Sequence, residues 1–480
     1  MRHPKRPGTA LALSLCIAAS ALFTGVASAK IHATPYYPGS IVPDHLPRAE
    51  MDQQLASFYK AWKAMYVSDE CGSGRYFVKV NADHKPVGGD TAPGTITVSE
   101  AHGYGMLISV MMADYDADAQ KIFDGMVRYF QDHPARSDPG LMAWNQIEGC
   151  GNATGRFRGD VSATDGDLDI AYALLLADQK WGSQGTIDYR SEANAVLAAI
   201  LKHEVHPRTH HLMIGDWAGT DGDSEIEYTT RSSDFMQSHL YAFFSLTGDK
   251  RWLAVHDKTY SIINTFNQRY TPKSALLPDF ISHLDSSMTP ARPELVGDKR
   301  DGDYAWNAAR YPWRVGLDYL LYGDPRARES LTVFNRWARA TTHEDPAAFN
   351  SGYRIDGSAI NDEGNNDLAF VSALGISAMI SADNQRWVNN VWDNLQRRPI
   401  NDDDYYGNTL KLLSMVVMSG HWEKPRPTST QKAAHVSVHQ PLTPARAPMG
   451  FVPSALNPPA PLELARGFMF KKLLRRGGMG

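Results

Sequence analysis

Residues 162–181 constrain this chain more than any other stretch. Asp165, Asp167 and Asp169 put three carboxylates within five residues, and an apolar run follows them to Trp181. Ile170, Leu174, Ala177 and Trp181 fall at i, i+4, i+7 and i+11, while Leu168, Ala171 and Leu175 fill the next stripe. The spacing predicts a helix apolar on most of its circumference. Such a helix belongs inside a large protein, so its N-terminus projects acids from the core into a cleft, where a rigid element can hold them for acid–base chemistry. Two plainer readings compete. The D-x-D-x-D spacing opens a calcium loop, but that loop needs Gly at its sixth position and Glu at its twelfth; Ile170 and Leu176 stand there, which excludes it. The acids are also ordinary caps for a helix start.

A chain of 480 residues with 43% hydrophobic and 21% charged content has ample material for a core. Residues 1–29 read as a secretory signal: Arg2, Lys5 and Arg6, then the apolar Leu11 to Phe23, then Ala27-Ser28-Ala29 as the cleavage site. Leu15 before Cys16 argues against lipidation, so export to the periplasm or medium is expected. No other apolar run is long enough for a membrane span. Export leaves Cys71 and Cys150 in an oxidising compartment, where they form a disulfide or remain two buried thiols. From residue 423 the chain turns Pro-rich and basic, and 423–480 reads as a disordered linker and tail. Residues 30–422 then carry 36 basic and 51 acidic residues, a formal charge of about −15. An acidic body argues against nucleic acid and suits a neutral or cationic ligand.

Helical periodicity recurs through residues 50–420. Ile122, Met126, Tyr129 and Phe130 form one stripe, Ala193, Leu197, Ile200 and Leu201 another, and Met236, Leu240, Phe243 and Phe244 a third, with Gly248 as its stop. Val315, Tyr319 and Tyr322 form a shorter one ended by Gly323. Alternating strand patterns are few, so a mostly α fold is expected. Four long polar connections, 88–97, 149–164, 215–229 and 285–303, interrupt the helices, and loops of that length are usually functional.

The pattern A-T-D-G-D-x-x-I-A-x-A-L-L-x-A-x-x-x-W, starting at Ala163, resembles the signature of glycoside hydrolase family 8. Four further segments follow the family's order: Thr97-Val98-Ser99-Glu100 with Gly103-Tyr104-Gly105-Met106; Met142-Ala143-Trp144; Thr230-Arg231-Ser232-Ser233-Asp234-Phe235; and Trp306-Asn307-Ala308-Ala309-Arg310 with Pro312-Trp313-Arg314. The resemblance implies an all-α (α/α)6 toroid of six helical hairpins and a cofactor-free, metal-free, inverting endo-β-1,4-glycanase. Inversion takes an acid to protonate the leaving oxygen and a base about 6.5–9.5 Å away to activate water. By resemblance Glu100 is the proton donor and Asp165 grips the sugar at the point of cleavage. On local evidence alone, Glu100 after Ser99 is equally a capping residue. Asp167 and Asp169 read as structural partners. One branch of the family has its base Asp where Asn307 stands, and an amide is no base at neutral pH. Another branch also has Asn there and takes a Glu from a loop upstream; Glu294 is the candidate here, with Asp298 as the alternative.

Aromatic faces bury the apolar surface of a pyranose at low entropy cost. Tyr104, Trp144, Tyr304 and Trp313 are the expected platforms, with Trp217 and Trp306 also near the motifs; Arg231, Asp234, Asn307 and Arg310 are the expected polar contacts. Gly103 and Gly105 in one helical turn cost roughly 1 kcal/mol each against Ala, so a close approach of backbone or sugar is expected to offset them. His203, His206, His210 and His211 lack the i, i+4 pair of a zinc protease and read as surface residues. The chain is thus expected to be a monomeric, secreted hydrolase of a β-1,4-linked glucan. A chitosanase is the alternative, with Asp216, Asp221, Asp223, Glu225 and Glu227 to meet a cationic polymer, and an inactive glycan-binding protein is the alternative of another class.

Overall fold

The computed structural model describes residues 35–87, 91–219 and 224–427. The expected signal, Asp221, Asp223 and the tail from residue 428 lie outside them. Among the described residues twelve helices have eleven residues or more: α1 Arg48–Tyr66, α2 Ser99–Met111, α3 Ala119–Asp132, α4 Thr164–Trp181, α5 Tyr189–His203, α6 Gln237–Thr247, α7 Arg251–Arg269, α8 Tyr311–Tyr322, α9 Pro325–Thr341, α10 Leu368–Ala378, α11 Gln385–Gln396 and α12 Tyr405–Met418.

Two sequence types alternate along this series. The even-numbered helices are mostly buried; every residue of α10 is buried. The odd-numbered ones are amphipathic: α3 buries Ile122, Phe123, Met126, Tyr129 and Phe130 but exposes Gln120, Lys121 and Gln131. Burial on all sides requires neighbours on all sides. Each even helix touches the next, and α12 touches α2, which closes a ring of six. Each odd helix packs outside its even partner, α3 on α2 through α11 on α10, while α1 packs on α12 and so joins the first and last of these helices. This is the (α/α)6 toroid. Gly248 and Gly323 end α6 and α8 in the left-handed conformation that Gly adopts without strain.

Short antiparallel strands decorate the end of the ring where the even helices begin. They are β1 Val67–Ser68 with β2 Phe77–Val78; β3 Thr95–Val98 with β4 Asn145–Ile147 and β5 Gly151–Asn152; and β6 Thr230–Arg231 with β7 Phe280–Ser282 and β8 Thr289–Pro290. Cys71 and Cys150 are joined as a disulfide with their Cα atoms 5.6 Å apart, tying the segment after β1 to the β4–β5 turn. Both termini of the described chain cross the opposite end. Tyr37 and Ile41 donate backbone bonds to Leu320 and Met379, and the Trp422 ring lies against Tyr172, His239 and Trp313. Residues past the expected boundary at 422 still belong to the body: Tyr172 donates to the Glu423 carbonyl, Lys424 to that of Leu321, and the Arg426 N–H to Gln179.

Candidate active site

Glu100 is placed by a strand that runs directly into a helix. Val98 pairs with Asn145 across β3 and β4, and the Ser99 N–H donates to the Trp144 carbonyl at 2.9 Å. Glu100 therefore opens α2 at the mouth of the ring with 19% of its side chain exposed. Its Oε2 accepts from Arg310 Nη1. Burial pushes the Glu100 carboxyl above its usual range, with Arg310 opposing.

The three acids of α4 face different partners because successive residues turn by about 100°. Asp165 and Asp169, at i and i+4, share a face. Arg310 and Arg314 have the same spacing and meet them from across the ring: Arg310 Nη1 donates to Asp165 at 2.9 Å, and Arg314 donates to both oxygens of Asp169 at 2.8 and 2.6 Å. Arg231 closes the other side of Asp165 at 2.9 Å, and His239 lies 3.0 Å from Asp169. Burial alone would raise Asp165; Arg231 and Arg310 outweigh it and hold the carboxyl below its ordinary value. Asp167 points the opposite way, accepting the Met142 N–H at 2.8 Å and facing Glu204, where burial and that second carboxyl raise it well above the usual range. Asp234, expected as a sugar contact, is buried against Arg231 at 2.9 Å.

The glycines of α2 serve backbone packing. A Cβ on Gly103 would lie 2.8 Å from Asp169 Cβ and 3.0 Å from the Gly166 carbonyl, and one on Gly105 would lie 2.4 Å from Val78. The approach that offsets their cost is thus α2 on α4 and β2.

A cleft of about 530 Å³ beside Asp165 is lined by Trp144, Phe157, Trp217, Arg156, Arg158 and Arg231, with Val296 contributed by the 285–303 loop. Trp306, 40% exposed, stands over Phe370 and Tyr406 next to Asn307 and Arg310. Two expected platforms are corrected. Trp313 is 2% exposed, with Arg314 stacked 3.9 Å over its ring and Trp422 at its edge. Tyr304 is fully buried among Phe334, Phe349, Tyr353 and Phe370. Neither has a face open to a ligand. Tyr104 is buried too, but its hydroxyl accepts from Arg310 at 3.1 Å and floors the site. The histidine cluster is corrected as well: His206 and His211 are buried and stacked, bonded to Glu227.

In the 285–303 loop Glu294 is exposed at positive φ, its N–H donating to the Asp298 carbonyl. Asp298 is exposed and caps Arg300, whereas Asp301 is buried and accepts the N–H groups of Val296 and Gly297. Asp279 was not foreseen. It precedes β7, is buried, and accepts from Ala305 N, Ala308 N and Asn307 Nδ2 at 3.1, 2.7 and 3.3 Å. Burial raises its carboxyl to about 7. A lone acid 28 residues from Asn307 carries no spacing signal. Among the described residues His256, Asp318 and Asp324 bring three ligand-type atoms together, but Arg326 already donates to Asp324 and His256 at 2.7 and 3.2 Å and supplies the cation there.

Known proteins match this arrangement along its length. The β-glucanase of Niallia circulans is 41% identical over 81% of this chain and 90% of its own length. An endoglucanase of Bacillus sp. (strain KSM-330) is 35% identical over 82% and 81%. The apo structure of a β-1,3-1,4-glucanase from Paenibacillus sp. X4 superposes with a TM-score of 0.75 at 41% identity, covering 82% of this chain and 97% of that one. A reducing-end-xylose releasing exo-oligoxylanase shares the fold at 17% identity and a TM-score of 0.63. The model of glycosyl hydrolases family 8 matches residues 47–420, and the chain belongs to that family.

Proposed function

We propose that this chain is an exported endo-β-glucanase that cleaves internal β-1,4 bonds of cellulose or mixed-linkage glucan with inversion. The observation that carries the reading is Glu100, a carboxyl raised by burial at the mouth of the ring, beside an aromatic cleft in a chain whose relatives are glucanases. A protonated Glu100 gives its proton to the leaving glycosidic oxygen. Asp165 stays ionised between Arg231 and Arg310 and accepts hydroxyls of the sugar at the cleavage point. It is not the base. Glu100 and Asp165 accept from the same Arg310 nitrogen, so their oxygens lie within two hydrogen-bond lengths, roughly 6 Å, whereas an inverting pair needs about 6.5–9.5 Å.

The base in this reading is Glu294, from the loop whose Val296 borders the cleft; Asn307, an amide where one branch of the family has its base Asp, supports a base drawn from this loop. Trp144, Trp217 and Trp306 provide the platforms along the cleft. A cationic polymer is disfavoured: among the described lining residues of the cleft three are arginines and none is acidic. Of the acids expected to meet it, Asp216 is buried under Ser162, Glu225 is paired with Arg292, and Glu227 with His206. Reducing-end release from lichenan, carboxymethylcellulose and chitosan in parallel tests the substrate, and proton NMR of the first product anomer tests inversion. Activity on chitosan alone transfers the assignment to a chitosanase, and binding without hydrolysis of any polymer transfers it to a glycan-binding protein.

A further inference from the structure

Asn307 is gripped on both sides. Its Nδ2 donates to Asp279 Oδ2 at 3.3 Å, and its Oδ1 accepts from Arg310 Nη2 at 2.8 Å. An ionised Asp279, the form above its raised value of about 7, only accepts and a guanidinium only donates, so these two partners allow the amide one orientation, oxygen toward Arg310. Asp279 is itself fixed, with Oδ1 on the N–H groups of Ala305 and Ala308 and its own N–H on the Asp303 carbonyl at 2.8 Å. Outside the site's own groups, Arg310 is held by Asn307 and by the Tyr406 ring, 5.7 Å from its guanidinium. Among the described residues Nε is buried without a partner, Asn307 is the bond made by Nη2, and Nη1 is the atom that meets Glu100, Tyr104 and Asp165.

We propose that Asp279 is a positioning residue for hydrolysis: it orients the Asn307 amide, which holds Arg310 where Nη1 bridges Glu100 and Asp165. This rests on Glu100 being the proton donor. Glu100 and Asp165 come from α2 and α4 while Arg310 enters α8; the Arg314–Asp169 pair ties α8 to α4, and the Asp279–Asn307 pair sets the Arg310 guanidinium itself. Displacing a group that orients the proton donor by even 1 Å is enough to slow chemistry on the order of 10²-fold.

The test keeps the shape and changes the polarity. In Asp279→Asn the carbonyl oxygen can retain the Ala305 and Ala308 N–H groups, but its amino group then faces Asn307 Nδ2, donor against donor. Flipping Asn307 relieves that contact and sets Nδ2 against Arg310 Nη2, so one buried mismatch persists either way. Asp279→Asn should lower kcat on lichenan about 10- to 100-fold, with KM near that of the wild type and a lowered thermal midpoint from the mismatch, kcat being read well below that midpoint. Asn307→Ala should lose as much, and combining the two should lose no more, because both remove one chain of contacts. The exchange Asp279→Asn with Asn307→Asp restores an acceptor facing both neighbours and should recover most of the lost kcat. The same exchange made together with Glu294→Ala should stay inactive, which separates restored positioning from a carboxylate at position 307 acting as a new base. A wild-type kcat in Asp279→Asn, additive losses, or a double exchange no better than the single variant would overturn the proposal. A wild type inert on every glucan is a different result, and it removes the activity reading instead.

Discussion

Glu100 and Glu294 carry the chemistry unequally, and single substitutions separate them. Glu100→Gln keeps the size and the acceptor for Arg310 but has no proton to give, so kcat should fall on the order of 10²-fold or more at an unchanged unfolding midpoint. Near-wild-type turnover would remove Glu100 from the mechanism. Glu294→Ala should abolish hydrolysis and recover part of it when azide is added as a small external nucleophile, while Asp298→Ala should be mild. Full activity in both loop variants would move the base elsewhere. At this scale the sequence was legible where a residue type and its spacing dictate the chemistry. Glu100, Asp165, Arg231 and Arg310 were all marked by motif, and the structure brings them into one network. It was illegible where the same residue serves core and cleft alike. Trp313 and Tyr304 sit in motifs, yet a ring beside a polar motif packs inward as readily as outward, and only the position of Trp422 and Phe370 decides which.

Between elements, the matched spacings of Asp165 with Asp169 and Arg310 with Arg314 form a ladder from α4 to the start of α8, and both spacings are visible in the chain. What the sequence lacked was the knowledge that the two helices face each other across the ring. The strands β1 to β8 are two to four residues long, too short for any period to register, yet β3 and β6 aim Glu100 and Arg231. The remaining acid of the α4 triplet has a stability consequence. Asp167 and Glu204 are both buried and act on each other electrostatically, and burial above all raises Glu204 to about 8. An unfolded Glu titrates near 4.3, so between those values the native state holds a proton that the unfolded chain has lost. Stability from this pair is therefore full below the unfolded value and is lost as pH rises through the folded one. Glu204→Gln can donate to Asp167 without titrating. Urea midpoints measured from about pH 5 to pH 9 should fall less steeply with pH in the variant than in the wild type over this window; parallel curves would show that the pair carries no shared proton.

For the molecule as a whole, the decisive feature is that a ring of helices has no natural end until something closes it. The alternation of wholly buried with amphipathic helices was legible only in part: Thr164–Trp181 reads as apolar all round and Ala119–Asp132 as striped, but the inner helices Gln237–Thr247 and Tyr311–Tyr322 also read as single stripes, because polar side chains on them are buried in the ring. Closure was not legible, because it joins α1 to α12 and lays the ends of the described chain against the inner helices. Trp422 is the central piece of that cover. It is 3% exposed and lies within 6.5 Å, ring to ring, of Tyr172 on α4, His239 on α6 and Trp313 on α8. Three inner helices thus converge on one side chain that belongs to none of them. The disulfide braces the other end by closing a separation of 79 residues, worth a few kcal/mol in a chain-entropy account, but it links only segments beside α2 and leaves the rest of the ring to packing. Truncating a buried Trp to Ala costs about 3–5 kcal/mol. Trp422→Ala should lose that much in urea unfolding, while kcat and KM at a temperature well below the midpoint stay near wild type, since none of the rings it lies against lines the cleft. If the variant unfolds in two separate steps instead of one weaker step, the ring is not a single cooperative unit and its closure does not depend on this residue. If it loses activity without losing stability, Trp422 acts through Trp313 and Tyr104 on Arg310, and the two ends of the ring are coupled more tightly than packing at the base requires.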